Sequence, residues 1–334
     1  MQPKVSVIIP VYNVEKKLLC KCLDSLLNQT LKEIELVCVL DCPTDGTDKV
    51  VDEYAQKDTR IKIVRNEHNL HIGESRNRGI EAATGEFIGF FDDDDYCEPT
   101  MYKELYDSAL LKNCNYSFCG RSIINNKTGE DVSLKEPNKY NIIECLNSIV
   151  KFKFDSNTVI WNKIIKKDLI TDNNIKFIDT KRMSGEDQLF NCKILLELIK
   201  SGGNIYYTEK KLYHHLLHKN NTGISESYIE GLLQFRDSLS ELLLESDISS
   251  TTNQNKNLAE GTIATIYKIF RYRLKKRGII SAFTLLKDIR QYNSITKNLK
   301  EYKFQYNKDI TIVKNIISWI IKTVFLLSTT TQRR

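Results

Sequence analysis

The sequence predicts an α/β protein with an open, mostly parallel sheet, helices on both faces and a helical C-terminal region. Strand-like and helix-like patterns alternate over about the first 120 residues, which is typical of parallel strands joined by crossover helices. Long helical patterns begin at about residue 228. With 41% hydrophobic and 28% charged residues, the composition is that of an ordinary globular protein rather than a disordered one.

The predicted strands of the first half are short apolar runs that end at polar or turn-forming residues. They cover 5–10, 34–40, 61–64, 87–91 and 116–119. Between them, apolar residues recur on one helical face, and Gly and Pro mark several helix ends. The predicted helices cover 14–29, 47–56, 74–83, 98–111 and 188–200. Because strand carboxyl ends share one edge of such a sheet, Asn13, Asp41 and Asp92 are expected to converge there.

The C-terminal part differs from the rest in pattern and charge. Helices are predicted at 228–244, 258–277, 279–292 and 312–327. Residues 254–334 hold 17 Lys and Arg against 4 Asp and Glu, although the whole chain has a net charge of only +6. We therefore predict a first domain at 1–227, with halves at about 1–120 and 121–227, and a basic helical region at 228–334.

The helix at 312–327 has two interpretations of equal weight. Its apolar residues surround Trp319 and are interrupted by Lys314 and Lys322, which suits a helix in a membrane interface. It is equally compatible with packing against the domain or against a second copy in a homodimer.

The cysteine pattern and the hydropathy predict a cytoplasmic protein. The nine cysteines are odd in number and include no C-x-x-C pair, which favours reduced thiols over disulfides or a zinc site. The N-terminus resembles no signal peptide, and the chain has no uncharged apolar stretch of 18 residues to span a membrane.

Four consecutive aspartates, 92–95, follow the apolar run at 87–91. Alternation along an extended chain places Asp92 and Asp94 on one face. Their repulsion is relieved by water or by a cation, so a solvated acidic loop and a site for Mg²⁺ or Mn²⁺ are both predicted from the run alone. Neither G-x-G-x-x-G nor G-x-x-x-x-G-K-[ST] follows a strand, which disfavours dehydrogenases and P-loop proteins.

Five segments together resemble the inverting family 2 glycosyltransferases, which have the GT-A fold with its Rossmann-like sheet. The resemblance covers about residues 4–225 and is carried by VSVIIPVYNVEKKL (5–18), LVCVLDCPTDGT (36–47), NLHIGESRNRGIEAATGEFIGFFDDDDY (69–96), SGEDQLF (184–190) and KLYHHLLHKNNTGIS (211–225). Each segment is a weak signal alone. Their order and spacing make the set specific.

The resemblance implies a nucleotide-sugar site. Asp41 would hold the nucleotide base, and Arg76 would pair with the diphosphate or with the acidic cluster. Asp94 would be the direct ligand of Mn²⁺ or Mg²⁺, with Asp92 nearer the ribose. Asp93 and Asp95 stay open as alternates because a run of four does not determine its own register. The implied donor-site residues are Pro10, Tyr12, Asn13, Asp41, Arg76, Asp92 and Asp93, and the implied metal ligands are Asp94, Asp92 and His218. His218 could equally contact a phosphate, and the alternative for a histidine there is an ordinary surface residue.

The resemblance also assigns the acceptor side. Asp187 is implied as the general base that an acceptor hydroxyl needs, with Glu186 orienting the acceptor. The alternative is that Glu186 and Asp187 are simply two acids at a helix N-terminus, where they complement the helix dipole. Trp161 and Lys163 are implied acceptor contacts, although a Trp is as often part of a core. His214 and His215 are interpreted as structural, and Arg78 as a solvated helix charge.

Three departures from the family pattern concern binding. Cys42 and Pro43 follow Asp41 where small or acidic residues are usual, so the base pocket is expected to differ in shape. Asp93 replaces a small residue inside the D-x-D motif. Leu216 stands where an arginine is frequent, which removes one expected phosphate contact.

The resemblance, taken with the basic C-terminal region, implies a metal-dependent inverting glycosyltransferase at the inner face of a bacterial cytoplasmic membrane. It would move a hexose or N-acetylhexosamine from a UDP-sugar to a lipooligosaccharide, capsule or lipid-linked glycan, with the basic C-terminal helices near anionic lipid. One alternative is a non-catalytic nucleotide- or cation-binding module on the same fold. A nucleic-acid-binding protein is disfavoured because the basic tail carries no recognition motif.

Overall fold

The computed structural model describes residues 2–151, 153, 155–178, 184–218, 226–246 and 252–289. The chain divides into two compact units. The first comprises Met1–Ile149 and Lys153–Gly223, and the second comprises Val150–Phe152 and Ile224–Arg334. The predicted helix at 312–327 lies outside the described residues. In the part of the chain that is described, no helix is long and apolar enough to cross a membrane.

The first unit contains the strands and most of the helices. The strands are β1 (Val5–Val11), β2 (Ile34–Leu40), β3 (Ile61–Arg65), β4 (Phe87–Phe90), β5 (Tyr96–Cys97), β6 (Tyr116–Asn125), β7 (Lys163–Lys166) and β8 (Ile205–Leu217). The described helices that accompany them are, in chain order, α1 (Lys16–Leu27), α2 (Thr47–Lys57), α3 (His71–Ala82), α4 (Met101–Leu111), α5 (Ile142–Val150), α6 (Lys167–Thr171) and α7 (Glu186–Ser201).

The eight strands form one mixed sheet in the order β3-β2-β1-β4-β7-β6-β8-β5. β1 pairs in parallel with β2 on one side and β4 on the other, and β3 extends the parallel part. Chain order therefore reverses between β1 and β4, which is where open α/β sheets bind ligands. β1, β2 and β4 are almost fully buried because helices cover both faces, and this burial explains their continuous apolar runs. The predicted α/β fold class is confirmed.

The other half of the sheet, in which strands pair both in parallel and antiparallel, was not predicted in detail. β7 lies between β4 and β6 and runs antiparallel to both. Its four residues have lysines at both ends, so the sequence offers too short an apolar run to identify it. β6 reaches Asn125 rather than ending at Cys119, and it pairs in parallel with the 13-residue β8.

The second unit contains two described helices, α8 (Glu226–Glu245) and α9 (Thr252–Ile289). The sequence predicts a break between Arg277 and Ile279, but α9 is continuous over 38 residues. This expectation was wrong because one glycine inside a helix costs only about 1 kcal/mol and does not by itself end it. Buried Arg236 of α8 donates to the carbonyl oxygens of Val150 and Leu258 and so joins these segments.

Candidate active site

The candidate site lies where the carboxyl ends of β1 and β4 meet. The backbone N–H of Tyr12, just after β1, donates to the Asp93 carboxylate at 3.2 Å. The N–H of Phe91 donates to Ile8 and continues the ladder up to the aspartate run. Parallel pairing thus brings residues about 80 positions apart to one edge, as expected for the point where strand order reverses.

Asp41 follows β2 and is 3% exposed. Its Oδ1 accepts hydrogen bonds from the Asn66 side chain and the Leu70 N–H, both at 2.7 Å. Asn66 also accepts from Arg78 at 3.0 Å, so Arg78 is a support for this pocket rather than only a solvated charge. Asn13 and Cys42 have positive φ of 47° and 56°, which turns the chain sharply after β1 and β2.

Arg76 connects the strand end to the first turn of α7. Its Nη2 lies 3.2 Å from Asp92 Oδ1, and its Nη1 lies 3.2 Å from Glu186 Oε1. The Arg76 side chain is 3% exposed, whereas those of Asp92 and Glu186 are 26% and 18% exposed, so only the arginine side of the two ion pairs is shielded from solvent. The guanidinium carbon is 5.3 Å from the ring centre of Phe177, which supports it from one side. Arg76 therefore brings Asp92 and Glu186, 94 positions apart, into one crevice.

The four aspartates have different partners. Asp92 pairs with Arg76, Asp93 accepts from Tyr12, and Asp94 Oδ2 lies 2.8 Å from His218 Nε2. Asp95 is fully buried and accepts from Tyr213 Oη, His215 and the Leu216 N–H, and so anchors β8. Asp95 is thus structural in this arrangement, and the structural interpretation of His215 agrees with its contact.

The cluster carries more negative charge than its partners neutralise. Burial and the neighbouring carboxylates raise the pKa of Asp93 well above its usual value. Burial likewise raises the pKa of Asp92 against the opposing charge of Arg76, and burial and Asp95 raise the pKa of Asp94. Three partly buried carboxylates held this close together favour a cation at this position.

The side chains present fit an incomplete site for a divalent cation. Carboxylate oxygens suit Mg²⁺ and Mn²⁺, and an imidazole nitrogen such as that of His218 is a further donor. Within the described residues, no group of three or more His, Cys, Asp or Glu side chains has the geometry of a complete metal centre. Because Mg²⁺ is usually held by one or two carboxylates together with substrate phosphates, an incomplete protein ligand set agrees with this chemistry.

Asp187 lies one residue beyond Glu186, in the first turn of α7. Burial and the adjacent Glu186 raise the pKa of the Asp187 carboxyl to about 7, against the charge of Arg76. Gly185 precedes the helix with φ of 80°, a conformation that glycine adopts without strain. A carboxyl with this pKa can accept a proton at neutral pH, which ordinary aspartates do poorly.

The two predicted acceptor contacts are buried. Trp161 is 5% exposed and stacks on Tyr213 with 4.1 Å between ring centres. Lys163 is fully buried, and its ammonium donates to Tyr116 Oη at 2.6 Å and to the Asn157 carbonyl at 3.1 Å. Burial lowers the pKa of Lys163 to about 7. This structure gives Lys163 no surface on which an acceptor could bind directly.

Several supporting residues were not identified from the sequence. Asn77 donates to and accepts from the backbone of Phe177, at 3.0 Å and 2.8 Å, and thereby holds the ring beside Arg76. Asn66 beside Asp41 was also missed. Both are polar residues whose partners are distant in sequence, so no local pattern predicts these contacts. The Arg-Asn pair at 76–77 is the one signal that pointed to Asn77.

The chain is similar to glycosyltransferases in sequence and in structure. Residues 6–169 match the model of glycosyl transferase family 2. YibD of Escherichia coli K12, described as an uncharacterised glycosyltransferase, is 30% identical over 240 residues, which are 68% of this chain and 65% of YibD. About a third of that relative is therefore not matched.

Two solved structures share the fold. Staphylococcus aureus TarS 1–349, crystallised with UDP-GlcNAc, has a TM-score of 0.62 at 21% identity over 90% of this chain and 92% of its own. The mannosyltransferase PcManGT from Pyrobaculum calidifontis, in complex with GDP-Man and Mn²⁺, has a TM-score of 0.53 at 16% identity over 92% and 88%. These likenesses establish the architecture.

Proposed function

We propose that the chain, which matches the model of glycosyl transferase family 2 over residues 6–169, transfers a hexose or N-acetylhexosamine from a UDP-sugar to an acceptor hydroxyl, with inversion. The Arg76 bridge carries this proposal. It joins Asp92, at the end of β4, to Glu186, beside Asp187, with both contacts at 3.2 Å. The proposed donor cluster and the proposed base are thus in one crevice, as a direct displacement requires.

The donor would bind at the edge formed by β1, β2 and β4. Asp41 and the turn after β1 would hold the nucleoside, and Asp92 the ribose side of the diphosphate. The UDP-GlcNAc and UDP complexes of TarS support a uridine nucleotide as donor. Asp94, Asp92 and His218 would hold a divalent cation, as the Mn²⁺ complex of PcManGT also supports. When bound, such an ion neutralises charge that develops on a departing diphosphate.

Asp187 would act as the general base. An alcohol is a poor nucleophile at neutral pH, so removal of its proton by a nearby carboxylate lowers the barrier. Glu186 would orient the acceptor through its second oxygen while Arg76 holds the first. Attack opposite to the leaving group gives the inverted product. Asp187 carries the transferred proton until it is released to water.

The acceptor is proposed to be a growing surface glycan. A lipooligosaccharide, capsule or lipid-linked oligosaccharide would suit an enzyme at the inner face of the cytoplasmic membrane, with basic residues in 254–334 near anionic lipid. The acceptor hydroxyl would enter beside the first turn of α7, where Glu186 and Asp187 begin the helix.

A donor screen tests the proposal. Purified full-length protein is incubated with UDP-, GDP- and dTDP-sugars, with and without Mn²⁺, and released nucleotide is measured. We expect release from a UDP-sugar that depends on Mn²⁺ and decreases about a hundredfold or more in Asp187→Asn. Exposed Asp107→Asn is the matched control and should have full activity. A protein that binds UDP without releasing it from any donor would instead be the non-catalytic module.

A further inference from the structure

A second cavity lies in the acceptor half of the first unit, away from the aspartate run. It has a volume of about 420 Å³ and is bounded by mid-β6, mid-β8 and the segment 133–138. Its walls include Arg121, Glu136, Asn138, Tyr207 and Glu209. None of these residues has a role in the proposed transfer. The volume is in the range of small-ligand sites.

The cavity lies at an irregularity in the pairing of β6 with β8. The register between β6 and β8 shifts on both sides of Gly120, so that Cys119 pairs with Thr208 but Arg121 pairs with Tyr213. A Cβ at Gly120 would lie 2.8 Å from the Glu209 carbonyl, so the close approach requires glycine. Bulges of this kind redirect side chains and are frequent beside binding sites.

One wall is a supported aromatic ring. Tyr207 packs against Phe118 and Tyr140, with ring centres 4.8 Å and 4.9 Å away. Its side chain is half-buried, so part of the ring faces the cavity. An aromatic ring held in place by two others offers a flat apolar surface at low entropic cost.

The polar groups around the ring are nearly balanced in charge. Arg121 is paired with Glu136 at 3.3 Å, and Lys211 with Asp131 at 2.7 Å. The remaining charged side chains, Lys135 and Glu209, are of opposite sign and exposed. Such a wall offers both donors and acceptors without a strong field of either sign. This suits a neutral ligand with many hydroxyl groups better than a phosphate, which would require unpaired cations.

The cavity is connected to the active site through one stack. The guanidinium carbon of Arg121 is 5.5 Å from the ring centre of Trp161. Trp161 stacks on Tyr213 and His215, and both of these contact Asp95. Glu136 also accepts from the Ser156 N–H, which ties the cavity wall to the segment that precedes Trp161.

We propose that this cavity binds sugar units of the acceptor glycan remote from the hydroxyl that is attacked, with Tyr207 as the stacking surface. The inference rests on the proposed glycosyltransferase function and extends it to acceptor recognition. Binding there would select the acceptor chain without touching the donor. Its residues should therefore affect acceptor affinity and leave hydrolysis of the donor by water unchanged.

The test measures binding of neutral disaccharides to the full-length protein saturated with UDP and Mn²⁺. Cellobiose, chitobiose, lactose and maltose are titrated by saturation-transfer NMR, with inorganic phosphate as a separate probe. We expect saturable binding of at least one sugar, weakened roughly tenfold or more in Tyr207→Ala. Tyr206→Ala is the matched control, because the neighbouring strand residue points to the opposite face and should bind as the wild type does.

A second variant keeps the test valid if Tyr207→Ala does not fold. Glu209→Ala changes an exposed cavity wall residue and should also weaken sugar binding, by a smaller factor. Binding of none of the four sugars, binding unchanged in both cavity variants, or binding of phosphate alone would each overturn the proposal. Release of UDP from the donor is measured in the same proteins. Its absence in the wild type would refute the proposed function, whereas loss of sugar binding in Tyr207→Ala with intact UDP release would support the cavity by itself.

Discussion

Asp187 shows how burial changes the chemistry of a common residue. An exposed aspartate is ionised above about pH 4 and accepts protons weakly. Here burial and the charge of Glu186 raise the pKa to about 7. Arg76 opposes this shift, so the acid pair and the arginine set the proton affinity together.

This pKa predicts the pH profile of the reaction. Below pH 7 the Asp187 carboxyl is protonated and cannot accept the acceptor proton. We therefore expect kcat/KM to rise about tenfold per pH unit up to about 7 and then to level off. The profile is measured with a UDP-sugar donor at saturating Mn²⁺. A rise centred near the usual aspartate pKa would contradict the assignment, and the residual activity of Asp187→Asn should lack this limb.

The members of the aspartate run differ in their partners. Asp94 faces His218 at 2.8 Å, whereas Asp95 is buried under three hydrogen bonds from β8. The residue type alone does not distinguish Asp94 from Asp95, whereas their hydrogen-bond partners do.

Two substitutions distinguish them. Asp94→Asn removes a proposed metal ligand and should raise the Mn²⁺ concentration for half-maximal activity by about tenfold or more, with little change in stability. Asp95→Asn should lower the free energy of unfolding by about 1–3 kcal/mol because buried donors lose their acceptor. Mn²⁺ titrations and urea unfolding measure the two effects. The opposite pattern would move the metal ligand to Asp95.

At the scale of elements, the prediction from sequence was best where burial is complete. β2 has the predicted limits, 34–40, because its whole apolar run is covered on both faces. α3 begins at His71, three residues before the predicted start. The residue before it, Leu70, is not a capping residue type, and the turn is held instead by Asn69, whose side chain accepts from the His71 N–H at 3.0 Å. β7 and the two-residue β5 were missed because their partners lie far away in the sequence.

The long helix α9 depends on a close approach at Gly261. A Cβ there would lie 2.1 Å from the Val150 carbonyl and 2.9 Å from Arg236 Nη2. We expect Gly261→Ala to lower the free energy of unfolding by about 1–3 kcal/mol, because overpacking outweighs the gain in helix propensity. Thermal and urea unfolding measure it. Ala264→Ser on the exposed face of the helix should change stability by about 0.5 kcal/mol or less. A Gly261→Ala protein more stable than the wild type would show that the neighbouring atoms move to accommodate the added methyl group at little cost.

At the scale of the molecule, charge is distributed unevenly along the chain. Residues 254–334 hold 17 basic and 4 acidic side chains, and the rest of the chain is acidic overall. If the acceptor is lipid-linked, as proposed, a segment with this many basic residues would raise the concentration of the enzyme at an anionic membrane.

Vesicle binding tests this role. The double variant Lys314→Glu/Lys322→Glu should bind phosphatidylserine vesicles at least about tenfold more weakly than the wild type, since each basic residue near such a surface contributes about 1 kcal/mol. Flotation assays at low and high salt measure it. The double variant Lys57→Glu/Lys112→Glu has the same net charge and should bind like the wild type. Equal loss in both variants would indicate a non-specific charge effect.

The sequence by itself determined the α/β architecture, the parallel strands and the resemblance to family 2 glycosyltransferases. These follow from local patterns: apolar runs, helical periodicity and motifs in which neighbouring residues act together. It also located the aspartate run and the Glu186–Asp187 pair, because strand ends and helix starts are marked by nearby residues.

Only the tertiary structure decided which partners those residues contact and how far they are buried. The two contacts of Arg76, the anchoring role of Asp95 and the burial of Lys163 join residues that are far apart in the chain. Proton affinity and ion pairing depend on burial and on distances of a few ångströms, which arise only after the strands are paired. The local sequence therefore predicts which residue types meet at the site, and packing sets their charge and their partners.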